Sequence, residues 1–143
     1  MSGLKNYREL DAWQLAMSLV EVTYVLTRQL PDGERYGLVT QMQRSAVSIP
    51  SNIAEGQGRA TTRFGLHYLR IALGSSAELE TQVEVARRLD YVTREQTRDL
   101  DSLLERVQQT LYGMRREHLR RLAGTAATGL VLTLFLVGIR FLA

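Results

Sequence analysis

The stretch Gln41–Arg59, QMQRSAVSIPSNIAEGQGR, constrains the fold more than any other part of the chain. Tyr36, Val39, Met42, Ala46, Ile49 and Ile53 recur at helical spacing and fall near one stripe. Between them stand Ser45, Ser48, Ser51 and Asn52, where a surface helix would carry Lys and Glu. A helix that is apolar on one side and polar but uncharged on the other is expected to be packed on more than one side. It is therefore read first as a scaffold element or an assembly surface. Pro50 removes one backbone donor inside this pattern, so a bend or a restart is expected there. Asn52 with Glu55 is the expected capping pair of the restarted turn. Gly56 and Gly58 are expected to end the helix with positive φ.

The rest of the chain has the same period. A first helix is predicted from about Arg8 to Leu30, with Leu10, Trp13, Met17, Val20, Tyr24 and Thr27 along its stripe. Leu15, Leu19, Val22 and Leu26 widen that stripe, and Trp13 is read as core packing rather than as a binding aromatic. Pro31, Asp32 and Gly33 make a turn, with Asp32 as the expected cap of the next helix. A third helix is predicted from Thr61 or Thr62 to Leu89. Its expected inner face is Phe64, Tyr68, Ile71, Ser75, Leu79, Gln82, Val85 and Leu89. Gly74, Ser75, Ser76 and Ala77 form a small-residue patch that would admit a close neighbour. Thr93 with Gln96 is a capping box for a fourth helix with Leu100, Leu104, Val107, Leu111 and Met114 on its stripe. No strand pattern is visible. Four helices with short links predict an all-α, antiparallel up-and-down four-helix bundle.

After Arg121 the chemistry changes. Leu122–Ile139, LAGTAATGLVLTLFLVGI, is eighteen residues without a charge. That is the lower end of what spans a bilayer, and Arg140 can snorkel to the far interface. Charge is also distributed unevenly. Residues 1–114 lean slightly acidic, whereas Arg115, Arg116, Arg120 and Arg121 against Glu117 add +3 within seven residues. Such a cluster beside an apolar segment reads as juxtamembrane, and it places the bundle on the cytoplasmic side of the membrane. The alternative is a buried assembly helix of a soluble cytoplasmic oligomer. The expected division is thus a bundle over 1–121 and a hydrophobic C-terminal helix over 122–143. Thr125, Gly129 and Thr133 would line a small face for packing between copies.

The amino terminus has no apolar run of the kind a signal peptide needs, and the chain has no cysteine, so thiolate metal sites and disulfides are excluded. His67 and His118 are the only histidines. His67 is expected as a half-buried packing residue and His118 as solvated or interfacial. Glu78, Glu80 and Glu84 share a helix but have no second ligand helix, so an ion-paired face is expected of them. The serines near Arg44 have no base to activate them. Gly56-Gln57-Gly58-Arg59 follows a helix rather than a strand and lacks the Lys-Ser/Thr ending of a phosphate loop. Arg59 and Arg63 flank the start of the third helix, where free amides favour anions. No enzyme activity, cofactor, metal or small-molecule substrate is expected.

Several segments together resemble the four-helix 23S ribosomal RNA intervening-sequence proteins. They are Leu10-Asp11-Ala12-Trp13 with Ala16, and Glu34-Arg35-Tyr36-Gly37-Leu38. Gln41, Arg44 through Gly56, and Gly58-Arg59 continue the match. Phe64, Leu69, Ile71 to Ser75, and Glu78-Leu79-Glu80-Thr81 complete it. The resemblance covers roughly residues 7–115. It implies a protomer that assembles as a ring, typically a pentamer, with no established enzymatic activity. It also extends to accessory proteins of diversity-generating reverse transcriptases, which are similar pentamers with a basic face for nucleic acid.

Two functions follow as expectations. One is a homo-oligomeric scaffold tethered to the membrane, with Arg44, Ser45, Ser48, Pro50, Ser51, Asn52, Glu55, Gly74, Ser75 and Glu78 at assembly or interhelix contacts. The other is a nucleic-acid adaptor partnering a polymerase or the ribosome through Arg44, Arg59, Arg63 and Arg70.

Overall fold

Sequence periodicity becomes four α-helices: α1 (Asp11–Thr27), α2 (Leu38–Gly58), α3 (Thr62–Arg88) and α4 (Arg98–Phe141). Single turns of 3-10 helix stand at Tyr7–Glu9 and Asp32–Glu34. The computed structural model describes residues 6–58 and 62–141, with side chains described as far as 124. No strand occurs among the described residues. α1 packs against α2 and α4, and α3 packs against the same two helices, closing a four-helix bundle.

Side-chain bonds fix the relative directions. From α2 to α3, Ser45 meets Glu78, Ser48 meets Ser75 and Glu55 meets Tyr68. From α3 to α4, Glu80 meets Gln108 and Arg87 meets Asp101. In each pair of helices one number rises as the other falls, so neighbours run antiparallel.

The core is built from smaller residues than the periodicity suggests. α1 contributes Ala12, Ala16, Leu19, Thr23 and Leu26, while Trp13, Met17 and Val20 are half-buried and Tyr24 is exposed. Trp13 packs edge-on against Tyr7, with ring centroids 5.5 Å apart. α2 contributes Met42, Ala46, Ile49 and Ile53 as expected, but Tyr36 lies ahead of the helix and is 90% exposed. α4 follows its predicted stripe through Leu100, Leu104, Val107 and Leu111. The largest difference is in α3. Its inner face is Leu69, Ala72, Leu79, Val83 and Ala86, with Ser75 and Ser76 beside them. Phe64, Ile71, Val85 and Leu89, expected inside, are 55%, 38%, 40% and 51% exposed.

Pro50 neither breaks nor restarts α2, which is continuous from Leu38 to Gly58 with Pro50 buried inside it. A proline in a helix costs the bond its own N–H would make, but its neighbours can still donate. Ser51 Oγ donates to the Val47 carbonyl at 2.8 Å, and Asn52 Nδ2 donates to the Ser48 carbonyl at 2.8 Å. Asn52 is thus an interior residue rather than a cap. Positive φ does not occur at any described glycine, so Gly56 and Gly58 do not end α2 in that way.

Nor is Asp32 the cap of α2. Glu34 Oε2 accepts from the Leu38 amide at 3.0 Å, and Glu34 Oε1 accepts from the Tyr91 hydroxyl at 3.1 Å. One carboxylate therefore serves the start of α2 and the α3–α4 connection. The bond to Glu34 raises the Tyr91 pKa above its ordinary value, with desolvation adding to it. In that connection the Thr93–Gln96 capping box forms in both directions, at 2.7 and 3.2 Å, one turn before α4 begins.

α3 ends on a left-handed residue that is not glycine. Asp90 has φ 57°, with its amide on the Arg87 carbonyl at 3.0 Å and the Tyr91 amide on the Ala86 carbonyl at 2.9 Å. These are the two bonds of a Schellman end. Replacing Asp90 with Gly removes the Cβ penalty of that conformation and adds chain entropy to the unfolded state. A net gain of about 0.5 kcal/mol is expected, read as a raised midpoint in urea unfolding.

Candidate functional site

The α2–α3 interface carries the uncharged polar residues that the sequence singles out. Antiparallel register sets Ser48 opposite Ser75, whose Oγ donates to Ser48 Oγ at 2.8 Å. Asn52 Nδ2 reaches the same hydroxyl at 3.1 Å. One step along, Ser45 Oγ donates to Glu78 Oε2 at 3.3 Å and accepts from Gln82 Nε2 at 3.1 Å. Ser45 and Ser75 are buried. These bonds satisfy the hydroxyls without water, which makes the seam specific in register. The outer side of the seam is an open groove of about 650 Å³ lined by Gln41, Arg44, Ile71 and the bonded residues. Gln82 is a member that the assembly set lacks. Its Oε1 is buried without a hydrogen-bond partner.

Other expected members stand apart from the seam. Ser51 is exposed and bonds only its own helix. Glu55 accepts from Tyr68 at 3.4 Å at the far end of α2. Gly74 is exposed, and a Cβ there would meet nothing within 4 Å, so no helix of the protomer approaches it closely. Close approach occurs instead at Gly56 and Gly65. A Cβ on Gly56 would lie 3.1 Å from Tyr68 Cβ. One on Gly65 would lie 2.7 Å from His118 Nε2.

The two histidines exchange their expected places. His67 is exposed, edge-on to Tyr68. His118 is half-buried against Gly65, with Nδ1 2.9 Å from the Met114 carbonyl. A carbonyl only accepts, so Nδ1 carries the hydrogen.

That contact also locates the arginines. With Gly65 facing His118 in antiparallel register, Thr62 at the start of α3 falls at the level of Arg121. Arg63, Arg115, Arg116, Arg120 and Arg121 therefore gather at one end of the bundle, all exposed. Arg44 and Arg70 are exposed further along, and Arg59 lies outside the described residues. The same register carries α4 from Leu122 on beyond the first turn of α3. At 44 residues and 1.5 Å per residue, α4 is about 66 Å long. The apolar segment thus continues α4 in the backbone and does not begin a separate helix.

Among the described residues, no helix is long and apolar enough to cross a membrane. Most side chains of the predicted span, with Thr125, Gly129 and Thr133, lie outside them. No group of three or more His, Asp or Glu placed to hold a metal occurs among the described residues. Glu78 is bonded to Ser45, Glu80 to Gln108, and Glu84 to Arg88 at 3.0 Å and Arg87 at 3.6 Å. Its arginine partners, Arg88 foremost, hold the Glu84 pKa below the ordinary value against a smaller opposing desolvation.

The comparisons with known proteins concern the bundle. No curated protein matches the chain. A solved structure with the same fold is that of a protein of unknown function from the S23 ribosomal protein family of Bacteroides thetaiotaomicron VPI-5482, at 1.70 Å. The two are 23% identical with a TM-score of 0.67, and the match covers 73% of this chain and 97% of that one. The family model for 23S rRNA-intervening sequence proteins matches residues 8–113. The match stops just before Arg115, so the basic cluster and the apolar segment lie past it. Over its bundle, the chain belongs to the 23S rRNA-intervening sequence protein family.

Proposed function

We propose that this protein is a non-enzymatic, homo-oligomeric scaffold, held at the cytoplasmic face of the membrane by its C-terminal helix. The observation that carries the reading is the course of α4, which passes the start of α3 at Arg121 and enters an uncharged apolar stretch of eighteen residues. A protomer alone offers that stretch no facing turn of α3. A bilayer would cover it, and five parallel copies would pack through the face of Thr125, Gly129 and Thr133. Five is the number that the family resemblance implies.

Assembly is assigned to the outer face of α3 and the groove beside it. Phe64, Ile71 and Val85 stand seven and fourteen residues apart, one exposed apolar line along the helix. Exposed Gly74 would let a second backbone come close, and exposed Arg44 lines the same groove as Ile71. Single exposed apolar residues are ordinary, but an aligned set beside a built polar seam marks an interaction surface.

The test compares the full chain, a chain ending at Arg121, and the full chain with Ile71→Asp and Val85→Asp. The full chain should stay in the membrane pellet after alkaline carbonate, and the shortened chain should be released. In mild detergent the full chain should be a single oligomer and the double variant a protomer of unchanged helicity. Release of both chain lengths would remove the tether, and an unchanged oligomer in the double variant would remove the assigned face. The second reading, a nucleic-acid adaptor, has in its favour that Arg63 lies at the same end as the arginines of α4. RNA binding through them should fall steeply between low and moderate salt.

A further inference from the structure

Past Leu111 the exposed side of α4 is neither simply basic nor simply apolar. Tyr112, Arg115, Arg116 and Leu119 lie at intervals of three, four and seven, so they share one face of the helix. Tyr112 is 51% exposed and Leu119 45% exposed. With Gln109 they line an open depression of about 660 Å³. The acids in reach are accounted for. Glu117 is bound by Arg121 at 2.9 Å, and Glu105, a turn before the depression, accepts from Gln109 at 3.1 Å. Among the described residues no acid pairs with Arg115 or Arg116, and no acid lines the depression.

Position along the helix narrows what would bind. Counted from Leu122, Leu119 is about 4–5 Å back, Arg115 and Arg116 about 9–11 Å, and Tyr112 about 15 Å. The headgroup zone outside the hydrocarbon is about 5–7 Å deep per leaflet, and a guanidinium reaches several ångströms from its helix. The arginines are thus within reach of lipid phosphates, with Leu119 against the acyl boundary. Tyr112 supplies a ring and a hydroxyl on the water side. Arg pairs phosphate oxygens in a fixed fork, so two on adjacent residues hold an anionic headgroup better than a diffuse charge would.

We propose that Tyr112, Arg115, Arg116 and Leu119 form a binding site for the phosphate headgroup of an anionic membrane lipid, seated where α4 leaves the bundle. The site rests on the membrane-tether reading above and adds a lipid preference to it. A nucleic acid would use the arginines without any need for exposed Leu119 beside them.

The experiment uses the full chain and its Arg115→Gln/Arg116→Gln variant. Both residues are exposed, so the variant should keep the wild-type melting temperature in detergent alone. Flotation with vesicles of phosphatidylcholine only reads the tether; both proteins should float. Addition of phosphatidylglycerol to the detergent-solubilised protein reads the site. It should raise the wild-type melting temperature, phosphatidylcholine should not, and the apparent affinity should be about thirtyfold weaker in the variant. Flotation with no phosphatidylglycerol effect, or the same effect in both proteins, overturns the lipid site and leaves the tether standing. Failure to float on any vesicle overturns both. Stabilisation by single-stranded RNA at matched phosphate that exceeds the lipid effect, and is lost in the same variant, overturns the site in favour of nucleic acid.

Discussion

Leu79→Ala is expected to remove about 2–5 kcal/mol of unfolding free energy, whereas Ile71→Ala, eight residues earlier on the same helix, should cost the protomer under about 1 kcal/mol. Leu79 has no exposed surface and sits in the single core cluster, so truncation leaves a cavity that its neighbours fill only in part. Ile71 is 38% exposed and lies at the rim of the α2–α3 groove, where water replaces the lost methyl groups. Urea unfolding of the two full-length variants, followed by circular dichroism at one protein concentration, separates the cases. Similar losses for both would mean that α3 is rotated from the orientation described. In the assembled protein Ile71→Ala acquires a second effect, because the surface it weakens is the one assigned to contact between copies.

The contrast explains what was legible in the sequence and what was not. Residues 71 and 79 belong to one stripe by periodicity alone, yet only one of them is inside. α3 carries two apolar lines, and the outer one, Phe64, Ile71 and Val85, holds side chains as large as the Leu69, Leu79 and Val83 of the inner one. The inner line relies on Ala72, Ser76 and Ala86, small residues that let helices approach, and size-weighted reading passes over them. α1 repeats the pattern, with Ala12, Ala16 and Thr23 buried while Tyr24 is exposed. α4 has one apolar line as far as Leu111, and there the expectation holds.

The polar seam was legible as a composition. Ser45, Ser48, Ser75 and Glu78 stand out as residues a surface helix would not carry. Their pairing was not legible, because it depends on the register of two helices, which sequence spacing does not contain. Pro50 misled for a different reason. It predicts a break from the bond it lacks, but Pro50 is buried within a helix that continues on both sides of it, and the serine and asparagine that follow add side-chain bonds to carbonyls on the preceding turn. His118 was legible only as one residue of a basic cluster, since nothing local indicates that a glycine fifty-three residues earlier leaves room for its ring.

Gly65→Leu should therefore act at a distance from its own helix. The added Cβ alone would stand 2.7 Å from His118 Nε2 and 2.9 Å from Cδ2, closer than such atoms pack, and the rest of the side chain would have to occupy the ring's place. The ring is tethered through Nδ1 to the Met114 carbonyl, so it cannot swing clear without giving up that bond. The expected result is a loss of about 1–3 kcal/mol from overpacking, and a rise in amide exchange confined to residues 111–121 of α4. Residues 98–107 should keep their protection, because the Arg87–Asp101 and Gln108–Glu80 contacts hold that half of the helix on α3. Gly65→Leu combined with His118→Ala should recover part of the loss, since the smaller side chain vacates the space. Their coupling should be of the order of 0.5–3 kcal/mol, as for residues in direct contact. Unchanged exchange in the single variant would mean that α3 and α4 are not close-packed at this point. The start of α3 would then no longer fix the level at which α4 leaves the bundle, and Arg63 would lose its placement beside Arg115, Arg116, Arg120 and Arg121.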